Sequence, residues 1–150
     1  MHRRVFLLAA ASLPIVSLPA LADTPTIIKV VKSPTCGCCG AREEHLREEG
    51  FIVESHAIPD EQLWDIKARL GLTDETSSCH TGLIDGYLVE GHVPASDIRR
   101  LLAESPSARG ITVPGMTMGS PGMEMGGEVD PYDTLLVHPD GPTKVFESHS

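Results

Sequence analysis

Cys36-Gly37-Cys38-Cys39 places three thiols in four residues, directly after the apolar, β-branched run Thr26-Ile27-Ile28-Lys29-Val30-Val31. A strand that stops at Ser33-Pro34 and passes through a Cys-x-x-Cys into a helix has the layout of a thioredoxin-like redox junction. The additional sulfur of Cys38 widens the chemistry. Two thiols suffice for disulfide exchange, whereas three clustered thiols form a nest of soft ligands for a soft metal. Disulfide chemistry and copper binding are thus the two functions in contest.

The remaining pattern builds an α/β fold around this junction. Strand one spans Thr26 to Lys32, and helix one is predicted from about Cys38 to Glu49, stopped by Gly50. Phe51 to Ala57 reads as strand two. Pro59-Asp60 opens helix two with Asp60 as its N-cap, and Leu63, Ile66 and Leu70 form its apolar stripe before Gly71. Asp85-Gly86 between Leu83-Ile84 and Tyr87-Leu88-Val89 signals a hairpin. Pro94 to Glu104 is helix three, facing inward through Ile98, Leu101 and Leu102. The predicted order β-α-β-α-β-β-α is that of a thioredoxin-like fold. Residues 105 to 131 read as a long loop containing the Met-rich stretch 113–127. A C-terminal β-hairpin extension follows through Leu135-Leu136-Val137 and Lys144-Val145-Phe146.

Residues 1–22 read as a signal peptide. Arg3 and Arg4 precede an apolar stretch from Val5 to Leu18, and Ala20-Leu21-Ala22 supplies a small-residue exit before Asp23. The stretch is too short to span a bilayer, and Arg3-Arg4 also fits the twin-arginine variant of an export signal. Residues 23–150 then form a single domain destined for the periplasm, with no membrane span after signal cleavage. They carry ten Lys and Arg against twenty-one Asp and Glu. Such an acidic chain repels phosphate backbones, so nucleic acid is not an expected partner.

All four cysteines lie in this exported part. Two structural disulfides are the ordinary use of four cysteines in an oxidising compartment, but adjacent Cys38 and Cys39 are awkward partners, and only Cys79 is distant. Structural zinc lacks the second Cys-x-x-Cys of a ribbon site. Cys36 and Cys39, three apart, share one side of the first helical turn, while Cys38 points elsewhere and can bridge a second metal. At a helix N-terminus a thiolate is favoured, and that species is both nucleophile and ligand. In a thioredoxin-like fold the Ser77-Ser78-Cys79-His80-Thr81 loop faces the junction, where a cis-proline usually docks substrate; this segment holds no proline. Cys79 and His80 are therefore candidate ligands.

Met116, Met118, Met123 and Met125 are the only methionines after residue 1, grouped as two Met-x-Met pairs in a Gly- and Pro-rich segment. Flexible gap-filling is the bland use of such residues. Thioethers are also soft ligands that suit Cu(I), which makes Met116, Met118 and Met123 candidate metal contacts. His45, seven residues after Cys38 on helix one, and His92, after the hairpin, are minor ligand candidates read first as surface residues, and the run Arg42-Glu43-Glu44 with Arg47-Glu48-Glu49 reads as a solvated helix face. No phosphate loop, nucleophile elbow or His-Glu-x-x-His motif is present in the sequence.

Taken together, the chain resembles the CopG-type periplasmic copper-resistance proteins, formerly a domain of unknown function. The resemblance spans residues 26 to 147. It rests on Cys36-Gly37-Cys38-Cys39-Gly40, Ser78-Cys79-His80-Thr81, Glu90-Gly91-His92-Val93-Pro94-Ala95, Val113-Pro114-Gly115-Met116 and Gly119-Ser120-Pro121-Gly122-Met123-Glu124. It implies a thioredoxin-like fold binding more than one copper ion through Cys36, Cys38, Cys39 and Cys79, with His80 beside them. It further implies interconversion of Cu(I) and Cu(II), a copper oxidoreductase role. Copper ions, periplasmic copper chaperones and efflux components are the partners expected on this reading. The alternative is a periplasmic thiol-disulfide oxidoreductase with Cys36 as nucleophile and Cys39 as resolving thiol.

Overall fold

The structure is a computed structural model that describes residues 25–140 and 142–150; the expected signal peptide lies outside the described residues. Among the described residues three helices pack on one seven-stranded sheet. In chain order the elements are β1 (Ile27–Lys32), α1 (Cys39–Glu48), β2 (Ile52–Ala57), α2 (Asp60–Arg69), β3 (His80–Ile84), β4 (Tyr87–Gly91), α3 (Ala95–Glu104), β5 (Gly110–Val113), β6 (Tyr132–Val137) and β7 (Lys144–His149). The sheet order is β2-β1-β3-β4-β5-β6-β7. β1 pairs in parallel with β2 and antiparallel with β3, and β3 pairs antiparallel with β4. The element order predicted for residues 26–104 is the one observed.

Local chemistry explains these boundaries. In β1 the alternation of the pleat turns Ile28 and Val30 into the core and Ile27 and Lys29 outward. Asp85 and Gly86 both adopt positive φ, 46° and 83°, the combination that joins tightly paired antiparallel strands. α2 begins one residue from the expected place. Pro59, with ψ of 141°, occupies the N-cap, so Asp60 is the first helical residue and sits with Glu61 at the positive end of the helix dipole.

The segment read as a loop between residues 105 and 131 contains a strand. β5 lies parallel to β4 and antiparallel to β6, fusing the C-terminal hairpin to the main sheet. Gly110-Ile111-Thr112-Val113 is buried throughout, as expected for an interior strand covered on both faces. Four residues flanked by Gly, Pro and Ser are too short to show a strand period. The main core joins Ile28, Val30, Leu46, Ile84, Ile98 and Leu101 from β1, α1, β3 and α3.

The charged stretch of α1 is only partly solvated. Arg42 and Glu43 are buried, whereas Glu44 and Arg47 remain exposed. Glu43 accepts hydrogen bonds from Lys32 Nζ at 2.6 Å and Ser55 Oγ at 2.6 Å, with Arg47 at 3.2 Å. Burial alone raises its carboxyl, but these partners outweigh that effect and hold it below the ordinary carboxylate value.

A sulfur and imidazole cluster at the first strand-helix junction

Cys36, Cys38, Cys39 and Cys79 are drawn together, their sulfurs all within 4.8 Å of one another. Cys36 and Cys39 are joined as a disulfide, and Cys38 and Cys79 are free. Cys38 is the N-cap of α1, and its sulfur lies 3.8 Å from those of Cys36 and Cys79. The Cys79 sulfur is 3.7 Å from Cys39, which is fully buried. Cys38 instead reaches the surface, where Met116 Sδ approaches it at 3.9 Å. Its sulfur nevertheless lies in the same cluster as those of Cys36 and Cys39, so the separate direction expected from helical spacing is not seen.

Two imidazoles close the inner side. His80 Nδ1 lies 3.2 Å from the Cys79 sulfur and 3.4 Å from that of Cys39. His92 Nε2 lies 3.5 Å from the Cys79 sulfur, and the two rings meet edge to face at 5.1 Å. His92 Nδ1 is 2.9 Å from the Pro121 carbonyl oxygen, which can only accept. The proton is therefore on Nδ1, and the lone pair of Nε2 faces Cys79. A backbone carbonyl that fixes tautomer and ring direction in this way is the usual support of a metal-binding histidine. Burial lowers the pKa of both imidazoles, His80 more strongly, so both are in the neutral, ligating form at neutral pH.

His92 was expected at the surface and is instead completely buried. The signal for it was in the hairpin. Asp85-Gly86 sets the register in which Ile84 faces Tyr87 and Thr81 faces Glu90. Counting two residues further along each strand brings position 79 opposite position 92. His45, also expected to be solvated, is half-buried and accepts a hydrogen bond from Ala95 N–H at 3.3 Å, capping the start of α3.

The Cys79 side is anchored from below by an ion pair. Lys67 and Glu90 are both buried and in contact through Lys67 Nζ and Glu90 Oε1. Glu90 also accepts from Ser78 N–H at 2.6 Å and from Thr81 Oγ1 at 2.6 Å, and Lys67 donates to Thr81 Oγ1 at 2.8 Å. The segment carrying Cys79 and His80 is thus held one residue before and one residue after them. Gly91, between Glu90 and His92, has φ of 74°, and a Cβ there would stand 2.4 Å from the Val113 carbonyl oxygen. In this setting burial, followed by the charge of Cys38, pushes the Cys79 thiol up to about 11. A metal at this sulfur must displace a proton.

The Met-rich stretch is a strap over the helix. Gly122 has φ of 87° and rests on α1, where a Cβ would lie 2.6 Å from Arg42 N. Ser120, Pro121 and Met123 are buried, whereas Met116 and Met125 are exposed. Among the described residues Met116 is the methionine whose sulfur meets a free thiol. Met118 is half-buried and Met123 is packed beneath the strap.

Comparison with known proteins places this arrangement. A family model described as a protein of unknown function, DUF411, matches residues 76–123, the segment from the Cys79 loop through the strap. No curated protein sequence matches. Form 2 of a copper resistance protein CopG is 42% identical, with 85% of this chain and 100% of that chain covered at a TM-score of 0.79. Form 1 is 43% identical, with 84% and 98% covered at a TM-score of 0.77. The chain belongs to the family of the copper resistance protein CopG.

Proposed function

We propose that this is an exported copper-binding protein of copper resistance or homeostasis, holding Cu(I) through Cys36, Cys38, Cys39 and Cys79. The observation that carries the reading is the convergence on Cys79 of three junction sulfurs and two neutral imidazoles, one with its lone pair aimed at the sulfur. Thiolate, thioether and imidazole donors are the soft set that suits Cu(I). His80 and His92 complete the inner coordination and Met116 the outer. Met118 and Met123 stand further down the order of ligands, because neither sulfur approaches a free thiol. The strand and helix order, with the cysteines at the first βα junction and the Cys79 loop facing them, supports a thioredoxin-like framework.

Redox chemistry follows from the pairing of Cys36 with Cys39. In forming their disulfide the two thiols release two electrons and two protons, enough to convert two Cu(II) to two Cu(I). That balance supports interconversion of copper oxidation states by the same residues that bind the ion. A thiol-disulfide oxidoreductase working on proteins is the second reading, favoured by the Cys36–Cys39 disulfide at the start of α1. Export to the periplasm rests on the leader-like residues 1–22, and copper chaperones or efflux components are the partners this role calls for.

The test is anaerobic Cu(I) loading of the reduced protein, with copper per chain counted after competition with bathocuproine disulfonate. Retention of copper, lost in Cys79→Ser and reduced in Cys38→Ser, is expected. No retention, together with insulin reduction that survives both substitutions, would replace this function with the oxidoreductase reading.

A further inference from the structure

Arg42 is 1% exposed, and its Nε and Nη1 have no hydrogen-bond partner among the described residues. Buried polar groups are nearly always paired, and an isolated buried charge is costly enough to need an explanation. The other buried charges in α1, α2 and α3 are compensated. Lys67 meets Glu90, Glu43 meets Lys32 and Arg47, and Asp97 meets His149. Arg42 stands apart from them as a buried cation with no anionic partner among the described residues.

Its place in the fold indicates what the partner is. Arg42 lies in the first turn of α1, three residues after Cys39, and its backbone N–H bonds the Cys38 carbonyl oxygen at 3.2 Å. Arg42 lines a cavity of about 10 Å³ together with His80 of the cluster and with Glu43, whose carboxylate is already taken up by Lys32, Ser55 and Arg47. The strap seals this region through Gly122, which packs on the Arg42 backbone. A cavity this small admits about one water, which can satisfy a donor but cannot neutralise a charge.

We infer that Arg42 is the buried counter-cation of the metal-thiolate centre, balancing the negative charge that Cys36, Cys38, Cys39 and Cys79 carry when reduced and partly loaded. This rests on the proposed copper-thiolate function. Four thiolates outnumber the positive charges of Cu(I) at every stage of loading before the ions equal the sulfurs. That excess is held in a buried setting where Coulomb interactions are strong. With Cys36 and Cys39 joined as a disulfide, two of the four thiolates cannot form, and Arg42 Nε and Nη1 are unpaired among the described residues. The charge therefore costs stability in one state and favours metal in the other.

That opposition of signs supplies the test. Thermal unfolding of the metal-free protein and Cu(I) competition with bathocuproine disulfonate are measured for wild type, Arg42→Met and Arg42→Lys. Arg42→Met is expected to melt at or above the wild-type temperature without metal, yet to retain Cu(I) at least tenfold more weakly. Arg42→Lys restores most of that retention. Arg42→Gln, polar but uncharged, covers the case in which methionine packs badly, and it is expected to lose copper as Met does. Equal retention in wild type and both uncharged variants, or a Lys variant as weak as Met, overturns the inference. Wild-type protein that holds no Cu(I) would instead overturn the copper function on which it rests.

Discussion

The two sides of the cluster are built differently. The sulfur side sits on a turn and the first residues of α1, where Cys36 and Cys38 are partly exposed and Cys36 is bonded to Cys39. The imidazole side sits on β3 and just past the end of β4, where His80 and His92 are buried and each neighbouring strand position is tied down. The sulfur side is the one that can change its covalent state without unfolding the sheet. The imidazole side is held by hydrogen bonds that do not involve the disulfide. Cys79 belongs to both, because it is positioned by the Glu90 anchor yet contacts Cys38 and Cys39.

Substitutions on the two sides should therefore separate stability from metal content. The largest effect is expected at Glu90. Glu90→Gln leaves Lys67 buried without its anion, and breaking a buried pair in this way costs about 3–5 kcal/mol. Urea unfolding of the metal-free protein would read that loss, and a change within experimental error would show that the anchor is dispensable. Cys38→Ser is the counterpart on the sulfur side. It should alter stability by less than about 0.5 kcal/mol, as partly exposed positions usually do, while lowering copper per chain.

The strap offers an intermediate test. Gly122→Ala places a methyl group against the α1 backbone at a positive φ, a strain of roughly 1–3 kcal/mol. Displacing Pro121 would also release the His92 Nδ1 proton from its acceptor. Copper affinity should fall about 10–100-fold, the range for loss of a partner behind a metal ligand. Wild-type affinity in this variant would mean that the strap does not orient His92.

Acid titration gives the smallest expected effect and probes the buried Glu43 of α1. The Glu43 carboxyl is held below its ordinary value, so its contribution to stability is complete above the unfolded value and disappears as pH falls through the lower folded value. In Glu43→Gln the acid limb of stability against pH should be shallower below about pH 4.5. Superimposable acid limbs would remove Glu43 from the account.

Much of this was readable along the chain, for particular reasons. The strand-to-helix junction, Gly50 and Gly71 as helix stops, and the Asp85-Gly86 turn are local signals, and local chemistry decided them. The meeting of Cys79 with the junction cysteines is a consequence of topology and was anticipated on that basis. Arg42 and Lys67 were not legible as buried residues, because a long charged side chain on a helix is usually solvated and only tertiary packing encloses it. β5 is not legible because its four residues carry no period and owe their strand form to β4 and β6 on either side. His92 is encoded in the hairpin register, which sets position 92 opposite position 79, a signal weaker than the adjacent Cys79-His80 pair.

The most direct test of the central claim is X-ray absorption at the copper edge of the reduced, Cu(I)-loaded protein, compared with Cys79→Ser. The account predicts a nearest shell dominated by sulfur with an imidazole contribution, and loss of much of that sulfur signal in the variant. A shell of nitrogen and oxygen alone, or one that Cys79→Ser leaves unchanged, would contradict a copper centre built around Cys79.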